Sequence, residues 1–367
     1  MKIIMVLTNG FFPDLRVYKE AKYLSKNGHD VEILCWDRDG RYKEKPVEQI
    51  EKIKIIRFCG NEKYGSGLKQ ISGLMKFKNE CKKYLKNEQI NYDYIHCHDL
   101  DGMVVGWLIH KHGDKIVFDM HEYYNSGSYA KIYFIVKRLL KFMQNKSYKI
   151  IHVNEKQIEA ISPKNKDKLV YLPNYPEAEK FESVKHIPSN KLRIMYAGYV
   201  RYLVPLTNLI NATKDMENVK VSIHGTGTCW DNIKKMEEFS KNLEVTGEFK
   251  HEEINKFYSE SDIIYVVYNK GNKNDETALP TKFFESIISG VPLIVSKDSL
   301  MEKTVEKYDI GFSVDGTNEE NIKKLIESIQ NNREILEQKK RNIEKIKNKF
   351  IWEDVVKNLD KIYGRNN

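Results

Sequence analysis

The segment Ala278-Leu-Pro-Thr-Lys-Phe-Phe-Glu-Ser-Ile-Ile-Ser-Gly-Val-Pro-Leu-Ile-Val295 carries the sharpest chemical signal in the chain. Pro280 suits the first turn of a helix, where a missing N–H costs nothing; Gly290 closes that helix and Pro292 opens a buried strand. Lys282 and Glu285 lie three apart and share a helix face. Free N–H groups at a helix start hold phosphate, so the lysine suits a diphosphate and the glutamate, one turn deeper, suits ribose hydroxyls. The plainer reading is a surface salt bridge on a capped helix.

Other constellations stay open at the level of residues. His96-Cys97-His98-Asp99 puts both histidines on one strand face. That invites a metal, but no second ligand cluster has suitable spacing, so none is expected. Asp14 and Arg16 read equally as one wall of a site or as a salt bridge at a helix start. Gly225-Thr-Gly227 follows a strand and falls short of the dinucleotide fingerprint; either approach to a nucleotide or a tight turn accounts for it. His121, in Asp119-Met-His-Glu122, follows a strand and could simply be a satisfied histidine at its end.

The elements that must position these groups alternate. Strands are expected at Lys2–Leu7, Val31–Trp36, Ile53–Phe58, Tyr94–Cys97, Lys115–Asp119 and Ile150–Val153, with helices at 18–27 and 74–87. This is the pattern of a parallel sheet wrapped by helices. It breaks near Leu172-Pro-Asn-Tyr-Pro176 and restarts at Arg193, with further strands at 219–224, 243–246, 263–267, 291–296 and 311–314. A long charged helical stretch follows at 319–349, then an amphipathic helix at 352–363. The expected organisation is an N-terminal domain over 1–172, with 350–367 packing back on it, a linker at 173–190 and a C-terminal domain over 191–349. Two such Rossmann-like domains, facing each other, would bind ligands in a cleft at the carboxyl ends of their strands.

Composition narrows the function classes. The 367 residues are 41% hydrophobic, which suits two domains with buried cores and excludes whole-chain disorder. No apolar run approaches the roughly 20 residues of a bilayer span, and Met1–Leu7 is too short for a signal-peptide core. Five scattered cysteines without a Cys-x-x-Cys pair argue against a disulfide framework and for the cytoplasm. The net charge of +9 includes only 10 arginines among 61 basic residues, and base readers lean on arginine. No nucleic-acid partner is expected. Lys131–Ile150 holds six basic residues and no acidic one, beside an apolar stripe of Ile132, Ile135, Val136, Leu139, Leu140 and Met143. The stripe is expected to pack on its own sheet, leaving the basic face of 131–149 for an anionic membrane.

Taken in order, several stretches resemble the family 4 glycosyltransferases of GT-B fold: "PDLRVYKEAKYLSKNGHDVEILCW", "YDYIHCHDL", "IVFDMHEYY", "YLPNYP", "LRIMYAGYVR", "VKVSIHGTGT", the Pro-x-Lys-x-x-Glu segment around Lys282, and "FIWEDVVKNLDKIY". The resemblance covers nearly the whole chain. It implies a retaining transfer of a sugar from a UDP- or GDP-linked donor to a glycan or lipid-linked acceptor in bacterial cell-surface synthesis, at the inner face of the membrane, without a protein nucleophile.

Residue by residue, the resemblance puts His121 beside the donor sugar, as a neutral imidazole on a hydroxyl or through its carbonyl on an oxocarbenium-like transition state. Asn9, Asp14, Arg16, His98, Asp99 and Glu122 become acceptor-side groups, and Gly10, Gly225 and Gly227 donor-side ones. Many members carry two glutamates, the first of which would fall at Thr277; Glu276, or backbone groups near Thr277, Ala278 and Leu279, is expected to substitute. An arginine–lysine pair after the first strand of the second domain is missing, with Tyr199 and Val204 at the corresponding places, so Arg201 with Lys282 is expected to hold the diphosphate. Those cations make a metal cofactor unnecessary in this reading. A nucleotide-sugar epimerase or hydrolase, or a non-catalytic nucleotide- or glycan-binding protein, is the alternative.

Overall fold

A computed structural model describes residues 1–11, 14–60, 68–122, 124 and 133–364. The chain divides into two units, Met1–Pro173 with Val355–Asn367, and Asn174–Asp354.

In the first unit the strands are β1 Lys2–Leu7, β2 Asp30–Asp37, β3 Val47–Ile50, β4 Ile53–Cys59, β5 Tyr94–His98, β6 Lys115–Met120, β7 Lys149–His152 and β8 Leu169–Tyr171, ordered β3-β4-β2-β1-β5-β6-β7-β8. All neighbouring pairs are parallel except β3 with β4. Both faces are covered, so β1 is apolar without alternation, and Ile3, Ile4, Met5 and Val6 are fully buried. The hairpin strand β3 was not expected. Its turn is Glu51-Lys52, with Glu51 at φ 50°, rather than an Asn-Gly pair that announces itself. Strand order reverses between β1 and β5, the place where the loops after adjacent strands part and leave a crevice. The loop Thr8–Phe11, the His98–Asp99 corner and His121 all lie at that end.

The second unit holds β9 Leu192–Ala197, β10 Val219–His224, β11 Leu243–Val245, β12 Ile263–Val266, β13 Leu293–Ser296 and β14 Gly311–Val314, all parallel, in the order β11-β10-β9-β12-β13-β14. Its core includes Ile194, Tyr196, Val221, Ile223 and Tyr265. The order reverses between β9 and β12, so the loop carrying Arg201 emerges at the switch point.

Residues 174–190 are not a free linker but part of the second unit. Phe181 is buried edge-on against Tyr258, and Ile187 N donates to the Ser259 carbonyl. The charged stretch expected as one helix breaks at Asn332 into helices Glu319–Asn331 and Glu334–Glu344. Residues 350–354 group with the second unit, while 355–364 fold onto the first. There Tyr363 packs edge-on to Tyr94 at 4.8 Å and Asn358 donates to the Tyr171 carbonyl. Among the described residues no helix is long and apolar enough to cross a membrane. In helix Tyr133–Lys146, Val136, Leu140 and Met143 are buried but Ile135 is exposed, which corrects the expected stripe. Lys131 and Ile132 lie outside the described residues.

Candidate functional site

At the end of the first unit's sheet, register decides which side chains meet. His98 on β5 lies opposite Asp119 on β6, and His121 follows Asp119 by two. His121 sits between two carboxylates: Nε2 is 3.0 Å from Asp119 Oδ2 and Nδ1 is 3.3 Å from Asp99 Oδ2. Burial disfavours the charged ring, but Asp99 and Asp119 outweigh it and raise the imidazole well above its ordinary value. Both ring nitrogens are thus engaged by carboxylates, which favour the charged ring over the neutral imidazole expected. Asp99 stands at φ 61° and also accepts from the Tyr124 hydroxyl at 2.8 Å.

Beneath it lies a buried network that no motif announced. Arg16 forks onto Asp119 with bonds of 3.1 and 2.9 Å, reaches Glu20 at 3.0 Å and donates to the Leu172 carbonyl. Burial pushes the Asp119 carboxyl up, yet Arg16 and then His121 hold it well below the usual range. Glu20, fully buried and beside Asp119, is pushed well above that range, with Arg16 opposing the rise. His96 stacks on His98 at 4.5 Å, and both are held neutral by burial, His96 down to about 4. His96 Nδ1 meets the Tyr363 hydroxyl at 2.8 Å. Ligand atoms of Glu20, His96, His98 and Asp119 all lie within 4.8 Å of one another, so the second ligand pair that spacing did not reveal comes from the first helix and the next strand. Arg16 lies on both carboxylates, and the cluster thus carries its own cation.

These contacts revise the acceptor-side expectations. Arg16 and His98 are buried supports rather than exposed groups. Asp14 does not pair with Arg16; it accepts from Val17 N at the start of helix Leu15–Lys26 and from the Asn9 amide at 3.0 Å. Asn9 in turn accepts from Phe11 N, holding Phe11 at φ 69°. A side chain on Gly10 would come within 2.9 Å of the Tyr42 ring, so this glycine makes room for Tyr42. Asp99 and the exposed Glu122 remain at the loop surface.

In the second unit, Lys282 lies in the first turn of helix Thr281–Ile288, after Pro280, which is the cap and not the first helical residue. Its Nζ is 3.8 Å from the Tyr196 ring centroid and 3.3 Å from where a Cβ on Gly198 would stand. Burial lowers its ammonium; Glu285 opposes this and Arg201 adds to it, leaving it at about 7. Arg201 is exposed and stacks over Tyr202 at 4.9 Å. Among the described residues neither Lys282 nor Arg201 enters an ion pair, so the plain salt bridge of Lys282 with Glu285 does not form. Glu285 is buried and accepts from the Tyr258 hydroxyl at 3.1 Å.

Gly225 and Gly227 are explained by backbone crossing. A Cβ at Gly225 would fall 2.0 Å from the Gly198 carbonyl oxygen, and one at Gly227 would fall 2.5 Å from that of Val200. The loop after β10 thus lies directly on the loop after β9. Glu276 accepts from Gly271 N at 3.2 Å and Thr277 donates to the Lys273 carbonyl, so both turn back on their own loop. Ala278 and Leu279 are the half-buried step between helices Lys273–Thr277 and Thr281–Ile288. Sequence reasoning missed Glu20, Asp119, Tyr196, Gly198 and Tyr258. The i,i+4 pair Arg16/Glu20 and the Ala-Gly-Tyr corner after β9 were the available signals.

Comparison with known proteins completes the picture. The family model described as Glycosyltransferase Family 4 matches residues 15–198, and that described as Glycosyl transferases group 1 matches 177–349. No curated protein matches. Among solved structures, sucrose-phosphate synthase from Thermosynechococcus elongatus superposes with a TM-score of 0.81 at 15% identity, over 99% of this chain and 98% of that one. HepE from Anabaena, solved with UDP and glucose, gives 0.68 at 14% identity over 99% and 98%. A glycosyltransferase from Rickettsia africae gives 0.67 at 15% over 99% and 97%. At such identities these likenesses speak for the GT-B fold alone. With family models matching both halves in order, the chain belongs to the family 4 glycosyltransferases.

Proposed function

We propose that this glycosyltransferase takes its sugar from a nucleoside diphosphate sugar, UDP- or GDP-linked, and transfers it with retention to a glycan or lipid-linked acceptor in bacterial cell-surface synthesis, inside the cell. The observation that carries the donor assignment is the pair of cations without carboxylate partners, Lys282 and Arg201, at the switch point of the second unit's sheet. Two cationic side chains outside any ion pair, beside a helix start, suit a diphosphate. That HepE was solved with UDP and glucose agrees with this choice.

In this reading the donor's diphosphate is the leaving group and takes the acceptor hydroxyl's proton as the new bond forms on the same face. Lys282, Arg201 and the helix N-terminus stabilise the charge developing on it, the task for which a divalent ion would otherwise serve. Glu285, steadied by Tyr258, receives the ribose. His121 serves through its backbone carbonyl, its ring held in place between Asp99 and Asp119; Asp99 and Glu122 meet the acceptor.

Calorimetric titration with UDP and GDP tests the donor half. Lys282→Ala and Glu285→Ala should each weaken binding of the preferred nucleotide about tenfold or more; unchanged binding in both would sink the assignment. Donor incubated without acceptor should release sugar slowly, and rapid turnover would favour an epimerase or hydrolase instead.

A further inference from the structure

We propose that Tyr363, in the tail that folds back onto the first unit, is a positioning residue for the transfer site. Its hydroxyl fixes the His96 ring with the ring's proton facing Glu20 and Asp119, and Asp119 in turn holds His121. This builds on the reading that places His121 at the site of sugar transfer.

Tyr363 is buried, and among the described residues its hydroxyl makes one hydrogen bond, to His96 Nδ1 at 2.8 Å. A buried phenol that accepted there would leave its own hydrogen unpaired, which is costly, so Tyr363 donates. Nδ1 is then the acceptor of a neutral ring, and the single ring proton sits on Nε2. That nitrogen faces Glu20 Oε2 at 3.4 Å and Asp119 Oδ2 at 3.8 Å. Among the described residues neither Nε2 nor Glu20 Oε2 is hydrogen-bonded elsewhere, so the proton lies between the atoms that need it. The opposite tautomer would aim a lone pair at both carboxyl groups.

From there the contacts run on to the site. Glu20 Oε1 is 3.0 Å from Arg16 Nε, the same nitrogen donates to Asp119 Oδ2 at 3.1 Å, and Oδ2 meets His121 Nε2 at 3.0 Å. His98, stacked on His96, lies 3.3 Å from both Asp119 Oδ2 and His121 Nε2. Glu20, His96, His98 and Asp119 are fully buried, so a turned ring is felt by its neighbours rather than screened by solvent. Covering the sheet requires the Tyr363 ring, which a phenylalanine would supply equally well against Tyr94. The hydroxyl is the part that covering does not explain.

Ring nitrogen–proton correlation spectra of the full chain, isotope-labelled at histidine, test this without a substrate. His96→Gln and His121→Gln assign the two signals. Wild-type His96 should carry its proton on Nε2. Tyr363→Phe should move His96 to a mixture with Nδ1 protonated and shift the His121 signals, with circular dichroism unchanged. The slow release of sugar from UDP-glucose or GDP-glucose should fall about fivefold, while affinity for the nucleotide, which the second unit binds, should hold. Tyr94→Phe is the control: it removes another tail contact, the 3.1 Å bond to the Ile362 carbonyl, and does not touch His96. It should leave ring signals and sugar release as in the wild type. Nδ1 protonation in wild-type His96, unmoved His96 or His121 signals in Tyr363→Phe, unchanged sugar release, or the same changes in Tyr94→Phe would each overturn the proposal. If neither nucleotide sugar binds, the donor reading fails, and the ring signals decide the role of Tyr363.

Discussion

At Lys282 an ammonium group rests on the Tyr196 ring without a carboxylate partner, and burial brings it to about 7. Below that value the site carries its full charge; above it, the charge persists only where an anion restores it. UDP affinity, followed calorimetrically, should therefore be greatest below pH 7 and decline above it, by up to about tenfold per pH unit. Lys282→Arg, whose guanidinium stays charged, should flatten that profile. An equally steep profile in the arginine variant would assign the titration to another group. Asp119 makes a second residue-scale prediction. Replacement by Asn leaves Arg16 and His121 without the carboxylate they share, and urea unfolding should show a loss of about 3–5 kcal/mol. The sign with pH follows from the direction of its shift. Its folded-state value is depressed, so its contribution is present above the unfolded value of about 3.9 and is lost as pH falls through the folded one. His121 behaves oppositely: raised in the folded state, it contributes fully below about 6.5 and loses that contribution as pH climbs through its folded value.

Between elements, the crossing of the loops after β9 and β10 is the most sharply constrained contact. Gly225→Ala must keep φ at 123° and place a methyl 2.0 Å from the Gly198 carbonyl oxygen. Backbone strain alone costs about 1–3 kcal/mol, so the second unit's melting transition should drop and UDP binding fall with it. Gly247→Ala, with open space around its Cβ, should stay within about 0.5 kcal/mol of wild type. These loops also show what sequence can convey. Strands buried on both faces lack polar alternation and were readable as apolar runs, whereas β3 is half-exposed and its turn lacks glycine. The glycines at 225 and 227 were readable as a turn, but the neighbour that demands them lies in another loop. At the site, His121, Asp99 and Lys282 stood out because they end strands or begin a helix. The pairing of Arg16 with Asp119 did not, because a bond between residues 103 apart depends on sheet order and register, neither of which local pattern carries.

For the whole molecule, the separation of chain order from unit membership matters most. A chain ending at Asp354 would lack the segment that covers Tyr94 and His96, and its first unit should become protease-sensitive. UDP binding by the second unit should survive, because residues 174–354 are all present. Tyr363→Phe, removing only the hydroxyl bonded to His96, should cost about 1 kcal/mol. Strong protease sensitivity of both units in the shortened chain would show that the second unit also depends on the tail.

The same arrangement has a consequence during synthesis. Residues 1–173 leave the ribosome first, yet their sheet lacks its cover until 355–363 follow, after every residue of the second unit. At roughly 5–20 residues per second that interval is on the order of ten to forty seconds. The half made later can therefore finish folding before the half made earlier. Throughout that interval the nascent chain displays Tyr94 and its neighbours as an uncovered aromatic patch, a handle that chaperones can hold.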